Sequence, residues 1–195
     1  MYLIIGFTYD FKAGVALIEF ISIALIIIVG LSIFITSIRV GITPMPSSQK
    51  AYRAILALTD SQGDGPVIDL GSGWGTVVIA LSKAYPNREV IGYELSTVPW
   101  LISVLLKQVM RLENLSIYRR NFLASPFPKS STLICYLYPG GMIKLEEKLK
   151  DEGSQIDRII SNTFVLPSHV AQEVIKLDDL YGSSVYKYLG KNLIK

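Results

Sequence analysis

Val67-Ile-Asp-Leu-Gly-Ser-Gly-Trp-Gly75 is a short apolar run that ends in an acid and is followed by glycines at 71, 73 and 75. The run reads as a buried strand, the glycines as a tight turn, and the periodicity after Gly75 as a helix. Glycines there let ligand atoms lie against bare backbone at a helix N-terminus. Glu94, in Val90-Ile-Gly-Tyr-Glu-Leu95, closes the next apolar run. A doubly wound sheet places the carboxylate that grips ribose hydroxyls at that point. Turn and second acid together point to a nucleoside-containing cofactor.

The spacing narrows the choice. The dinucleotide fingerprint is G-x-G-x-x-G, whereas here Asp69 stands two residues before Gly71 and the pattern runs Gly71-Ser-Gly73-Trp-Gly75. A carboxylate at that place repels a phosphate and suits a cationic amine. The expected ligand therefore carries a nucleoside and a positive charge; the plain alternative is a glycine-rich turn with no ligand. The segment resembles motif I of the class I S-adenosylmethionine-dependent methyltransferases. The resemblance implies S-adenosylmethionine, which has an adenosine, a sulfonium and an amino-acid tail.

The chain has 195 residues, enough for one ordinary domain and a short extra element. Half of the residues are hydrophobic and 18% are charged, and the apolar excess is local. From Ala13 to Ile38 the only charge is Glu19, and Phe20 to Ile38 has none. Nineteen helical residues span roughly 28 Å, close to the hydrocarbon thickness of a bilayer. A cleaved signal peptide needs a basic start, a shorter run and a small-residue cleavage site, and none is evident. A buried core helix is the other alternative, but the apolar residues lie all round. The expected organisation is a short tail (1–12), a transmembrane helix (13–40) and a domain (41–195). Arg39, Lys50 and Arg53 follow the span, while only Lys12, beside Asp10, precedes it. That asymmetry places the domain on the cytoplasmic face of a single-pass membrane protein.

The net charge of +3 comes wholly from beyond residue 40, and its cations are scattered. Arg119-Arg120 is read as an exposed strand end. No dense basic stripe appears, so no nucleic-acid partner is expected, and nearby anionic headgroups account for a mild excess. The lone Cys135 cannot form an internal disulfide, which fits a reducing compartment. No metal-ligand cluster is evident.

Thr43-Pro-Met-Pro46 reads as a hinge or a lid, with Ser47 or Ser48 capping a helix to Leu58. Strands are expected at 67–70, 89–94, 115–119, 132–138 and 156–163, with a terminal antiparallel pair at 172–177 and 184–188. Helices are expected from Gly75 to Tyr85, from Ser96 or Thr97 to about Leu112, and from Met142 to Lys150, with Pro139-Gly-Gly141 breaking the chain before the last. This alternation means an α/β layered fold with a mainly parallel sheet.

Further pieces resemble a narrower family: the lysine methyltransferases of the ATP synthase c-subunit and the adenine nucleotide translocase, with their prokaryotic relatives. The pieces are Thr43-Pro-Met-Pro46, Asp69 to Gly75, Gly92-Tyr-Glu-Leu95 with Pro99-Trp100, and Leu137-Tyr-Pro-Gly-Gly-Met142 before Leu145-Glu-Glu-Lys-Leu149. The resemblance runs from about residue 43 to the end. It implies a Rossmann-like, seven-stranded class I methyltransferase domain preceded by one transmembrane helix. By the matched positions, Asp69, Gly71, Ser72, Gly73, Gly75, Glu94 and Leu95 hold the cofactor, and Asn121 and Phe122 flank its adenine. Tyr138 and Pro139 stand at the acceptor edge as the catalytic candidates. Asn121 departs from the aspartate common in such folds, and Trp74 from a site often polar. Trp100 reads more readily as core than as site. His169, the only histidine, lies in a loop with no carboxylate partner evident. The expected function is methylation of a lysine amine on a small integral membrane protein. The alternatives are a lipid or quinone acceptor, or a non-catalytic scaffold with a relic pocket.

Overall fold

The structure, a computed structural model, describes residues 2–40, 48–59, 63 and 65–193. The expected hinge or lid at 43–47 lies outside the described residues. Strands β1 (Val67–Asp69), β2 (Val90–Tyr93) and β4 (Ser131–Cys135) are buried at every position. Such unbroken burial suits parallel strands covered on both faces. With β3 (Leu115–Tyr118), β5 (Ile156–Asn162), β6 (Glu173–Lys176) and β7 (Ser184–Leu189) they form one sheet in the order β3-β2-β1-β4-β5-β7-β6. β1 to β5 run parallel, and β7 lies antiparallel between β5 and β6.

Helices α2 (Gln49–Leu58), α3 (Thr76–Ala84) and α4 (Thr97–Val109) cover one face through Ile55, Leu58, Val78, Leu81, Trp100 and Val104. α5 (Pro139–Glu152) covers the other through Met142, Leu145 and Leu149. The split follows from handedness. Right-handed crossovers moving outward from β1 to β3 put their helices on one face, and those moving from β4 to β5 put theirs on the other. The direction reverses between β1 and β4, which opens a crevice at the carboxyl ends of those strands. Asp69 pairs with Gly92 on one side and Ile134 on the other, so the ends of β1, β2 and β4 lie level.

Ser48 is the cap of α2, its hydroxyl accepting from the Ala51 amide at 3.1 Å. Three boundaries in the domain differ from expectation by about a helical turn. β4 stops at Cys135, and Tyr138 is the residue that leads into α5 rather than a strand end. Pro139-Gly-Gly141 opens α5 instead of breaking the chain before it, because a proline at the first helical position lacks only an amide that has no partner there anyway. α4 ends at Val109, two residues before Arg111 turns left-handed at φ 52°.

α1 (Tyr2–Val40) is one continuous helix that starts well ahead of the span expected from residue 13. Gly14–Ile35 is long and apolar enough to cross a membrane, and none of its central window is buried inside the molecule. Leu17, Ile18, Phe20 and Leu25 are all more than half exposed. A core helix would bury such residues.

Candidate cofactor and acceptor site

The glycine-rich turn crosses the crevice at the end of β1. Gly73 and Gly75 adopt left-handed φ values of 52° and 83°, open to glycine without cost. The turn is closed locally by the Gly75 amide on the Ser72 carbonyl (2.8 Å) and tied to β2 by the Ser72 amide on the Tyr93 carbonyl (2.9 Å). Glu94 clamps it from the second strand. One carboxylate oxygen accepts from the Gly73 amide at 2.8 Å, the other from the Ser96 amide at 2.6 Å. The expected ribose ligand is thus also the brace that sets the turn, and its remaining lone pairs are left for a ligand. Leu95 follows it, 45% exposed at the rim.

Asp69 is buried beneath the turn. Burial, then the Glu94 charge, push its carboxyl up to about 7, although the Gly71 amide bonded to it works the other way. Two acids held together in this way are short of a cation. Ser72 carries the one buried side-chain polar atom without a hydrogen-bond partner among the described residues. An orphaned hydroxyl beside a glycine turn and an under-compensated acid fits a ligand that brings both an acceptor and a positive charge.

The three glycines do different work. A Cβ on Gly71 would meet only Leu137, at 3.7 Å, so that position leaves room. A Cβ on Gly75 would come within 2.7 Å of Ser103, so Gly75 serves the packing of α4 on the turn as well as any ligand. Gly92, quoted in the sequence only as part of the block that ends at Leu95, has a packing role of its own. A Cβ there would lie 2.9 Å from the Ser72 hydroxyl, and a glycine inside a strand marks such a close approach.

Asn121 and Phe122 stand after β3, where Asn121 caps a single turn by accepting from the Leu123 amide at 3.0 Å. That bond occupies its oxygen and leaves its amide NH2 for a ligand. Trp100 belongs to the core, its indole N–H donating to the Ile117 carbonyl at 3.2 Å.

The edge of the crevice after β4, where the acceptor was expected, is aromatic. A Cβ on Gly140 would lie 2.6 Å from the Tyr138 ring, and one on Gly141 3.4 Å from it, so the two glycines let that ring fold back over the start of α5. Beside it Tyr136 stacks on Phe164, centroids 6.0 Å apart and planes 20° from parallel. Phe164 reaches that place because Thr163, at the end of β5, turns left-handed at φ 70°, an unusual conformation for a β-branched residue. Tyr136, Thr163 and Phe164 were not singled out from the sequence, because strand pairing brings them together. Against the expectation of a solvated, partnerless His169, its Nδ1 lies 2.8 Å from Glu146, which also accepts from the Ser168 amide and hydroxyl. This clasp pins the loop after β5 to α5. Cys135 is buried and its thiol is pushed up to about 12, chiefly by burial, so it is inert.

The chain belongs to the family described as the ANTKMT methyltransferase domain, whose pattern it matches over residues 69–173. It is 31% identical over 134 residues to the Rattus norvegicus lysine N-methyltransferase of the ATP synthase c-subunit, covering 65% of this chain and 60% of that one. It is 25% identical over 152 residues to a protein-lysine N-methyltransferase of Saccharolobus islandicus, covering 74% and 91% respectively. The chain spans about three fifths of the length of the vertebrate relatives it matches (60% and 57%). Among solved structures, the RNA methyltransferase from Salinibacter ruber in complex with S-adenosyl-L-homocysteine superposes with a TM-score of 0.62 at 19% identity, covering 74% of this chain and 93% of that one. That likeness extends to the fold.

Proposed function

We propose that this chain is a membrane-anchored methyltransferase that passes a methyl group from S-adenosylmethionine to a lysine amine of a small integral membrane protein. One observation carries the reading: the glycine turn clamped by Glu94 lies over a buried acid and an unpartnered Ser72 hydroxyl, within a family whose named relatives methylate protein lysines. Asp69 offers its charge to the ligand's ammonium. Gly71, Ser72 and Gly73 cradle the tail, Glu94 and Leu95 hold the ribose, and Asn121 and Phe122 flank the adenine. The bound cofactor supplies an electrophilic methyl on a sulfonium.

The protein's part is alignment and dryness. Methyl transfer is an in-line displacement, so holding the amine on line is most of the catalysis. Tyr138, set by Pro139 and the two glycines, orients the acceptor. Tyr136 and Phe164 shield it from water. Desolvation lowers a lysine pKa and favours the free amine that reacts, and aromatic faces also suit the cationic product.

Residues 13–40 cross the bilayer once and residues 41–195 stand on the cytoplasmic face. Anchoring confines enzyme and substrate to one surface and raises their effective concentration. The test is incubation of detergent-purified protein with methyl-labelled S-adenosylmethionine and membranes stripped of the endogenous enzyme, followed by separation of protein from lipid. Label in a small protein band, lost with Glu94→Ala, supports the lysine reading. Label in the lipid fraction moves it to a lipid or quinone acceptor, and cofactor binding without label moves it to a non-catalytic scaffold.

A further inference from the structure

α4 is apolar on both sides. Its inner side, through Trp100 and Val104, joins the core. At helical spacing Leu101, Ile102, Leu105 and Val109 form a second stripe on the outer side, and these are 52%, 39%, 59% and 72% exposed. A surface helix ordinarily shows solvent a polar face, so a stripe this continuous needs a cover.

Two observations say what the cover is. First, α1 packs against α4, and the partly covered positions toward its C-terminal end, Val29, Ser32, Ile33 and Ser37, recur on one helical face. The helix that carries the exposed stripe therefore stands beside the candidate span, where that span leaves the hydrocarbon. α1 itself leaves the stripe open, since the exposures above hold with α1 in place. Second, the charge carried by this segment has one sign. From Thr97 to Leu112 there is no acid and the only charges are Lys107 and Arg111, and Arg119 donates to the Thr97 hydroxyl at 3.0 Å where α4 begins. A helix with an exposed apolar stripe and only basic charges suits the plane of an anionic bilayer surface.

We propose that α4 is an interfacial membrane helix: Leu101, Ile102, Leu105 and Val109 insert among lipid headgroups beside α1, so that the domain lies against the bilayer instead of swinging from a tether. The proposal rests on the reading of α1 as a span. Its consequence is orientation, because α4 is capped by Ser96, two residues after Glu94, so the seat of α4 sets how the crevice meets a lysine near the headgroups.

The test uses the full chain in vesicles of phosphatidylcholine and phosphatidylglycerol, with an environment-sensitive fluorophore at Leu105→Cys, Val109→Cys or Glu147→Cys. Glu147 is exposed on α5, on the opposite face of the sheet. Nitroxide-headgroup lipids are expected to quench the labels at 105 and 109 at least threefold more than the label at 147. Leu101→Glu with Leu105→Glu is expected to remove the quenching at 109 while cofactor binding, which reports folding, stays unchanged. Equal quenching at all three positions overturns the proposal. So does a protected label at 105 whose protection depends on protein density, which means a second copy covers the stripe. Alkaline carbonate extraction separates the two levels. A chain that carbonate releases overturns the span and this proposal with it, while a chain that resists extraction but shows an unquenched label at 105 overturns the interfacial helix alone.

Discussion

The two halves of the crevice are built by different means. On the side of β1, β2 and β3, the crevice rests on backbone: left-handed glycines, a Gly73 amide held by Glu94, and a Gly71 amide bonded to the buried Asp69. On the side of β4 and β5 it rests on side-chain faces, with Tyr136 against Phe164, Tyr138 folded over two glycines, and the Glu146–His169 clasp holding the loop. In the proposed reading, a cofactor common to many enzymes is met by rigid, local backbone, and an acceptor particular to this one by surfaces that several distant segments share. Substitutions on the first side are therefore expected to act on cofactor affinity, and those on the second on turnover.

Gly73→Val gives the largest effect. A β-branched side chain at φ 52° costs about 1–2 kcal/mol and fills the cradle. Calorimetric titration with S-adenosylhomocysteine is expected to show no binding, while the melting temperature drops only a few degrees. Retained binding removes the turn from the site.

Tyr138→Ala tests the other half. Turnover is expected to fall on the order of 10- to 100-fold through lost alignment, with cofactor affinity within about threefold of the parent. A variant that loses affinity instead would merge the two halves into one.

Asp69 sharpens the contrast through pH. Its carboxyl, raised from 3.8 to about 7, is mostly neutral at pH 6 and ionised at pH 8. A cationic ligand favours the ionised form, so affinity is expected to rise about tenfold across that interval and then level off. Without ligand the sign is reversed. The raised pKa contributes stability that is complete below 3.8 and lost as pH rises through about 7. Asp69→Asn is expected to flatten both dependences, read by titration and by thermal melts from pH 5 to 8.

Glu146→Gln gives the smallest effect. Burial pushes this carboxyl up, but bonds from the Ser168 amide, His169 and the Ser168 hydroxyl outweigh it and hold the pKa below 4.5. Its contribution is present above that value and lost as pH falls through the depressed pKa. The variant is expected to lose about 1 kcal/mol at pH 7 and progressively less as pH falls below 4.5, with unchanged cofactor affinity. An affinity change at pH 7 would couple the clasp to the cofactor half.

The cofactor half was open to sequence reading because its parts are contiguous. Asp69 to Gly75 is one strand and turn, and Glu94 ends the next strand, which any doubly wound sheet sets beside the first. What the sequence hid there is division of labour. It could not say that Gly75 yields to Ser103, that Gly92 yields to the Ser72 hydroxyl, or that Glu94, expected as a ribose ligand, also braces the turn. In the proposed acceptor half the sequence pointed only to Tyr138 and Pro139. The partners of Tyr136 and His169 lie 28 and 23 residues away, across strand β5 and helix α5.

By itself the sequence determined the alternation of strands and helices, the apolar segment from 13 to 40 and the chemistry of the glycine turn. Each is written in neighbouring residues, through periodicity, length and the glycine that a left-handed turn demands. Only the tertiary structure decided which aromatic faces meet at the acceptor edge and which carboxylate holds His169. It alone decided, too, which side of α4 faces outward. The sequence of α4 is apolar on two sides, so its pattern does not say which of them is covered; the choice falls to the packing of Trp100 and Val104 on the sheet, which leaves Leu101, Leu105 and Val109 on the outside.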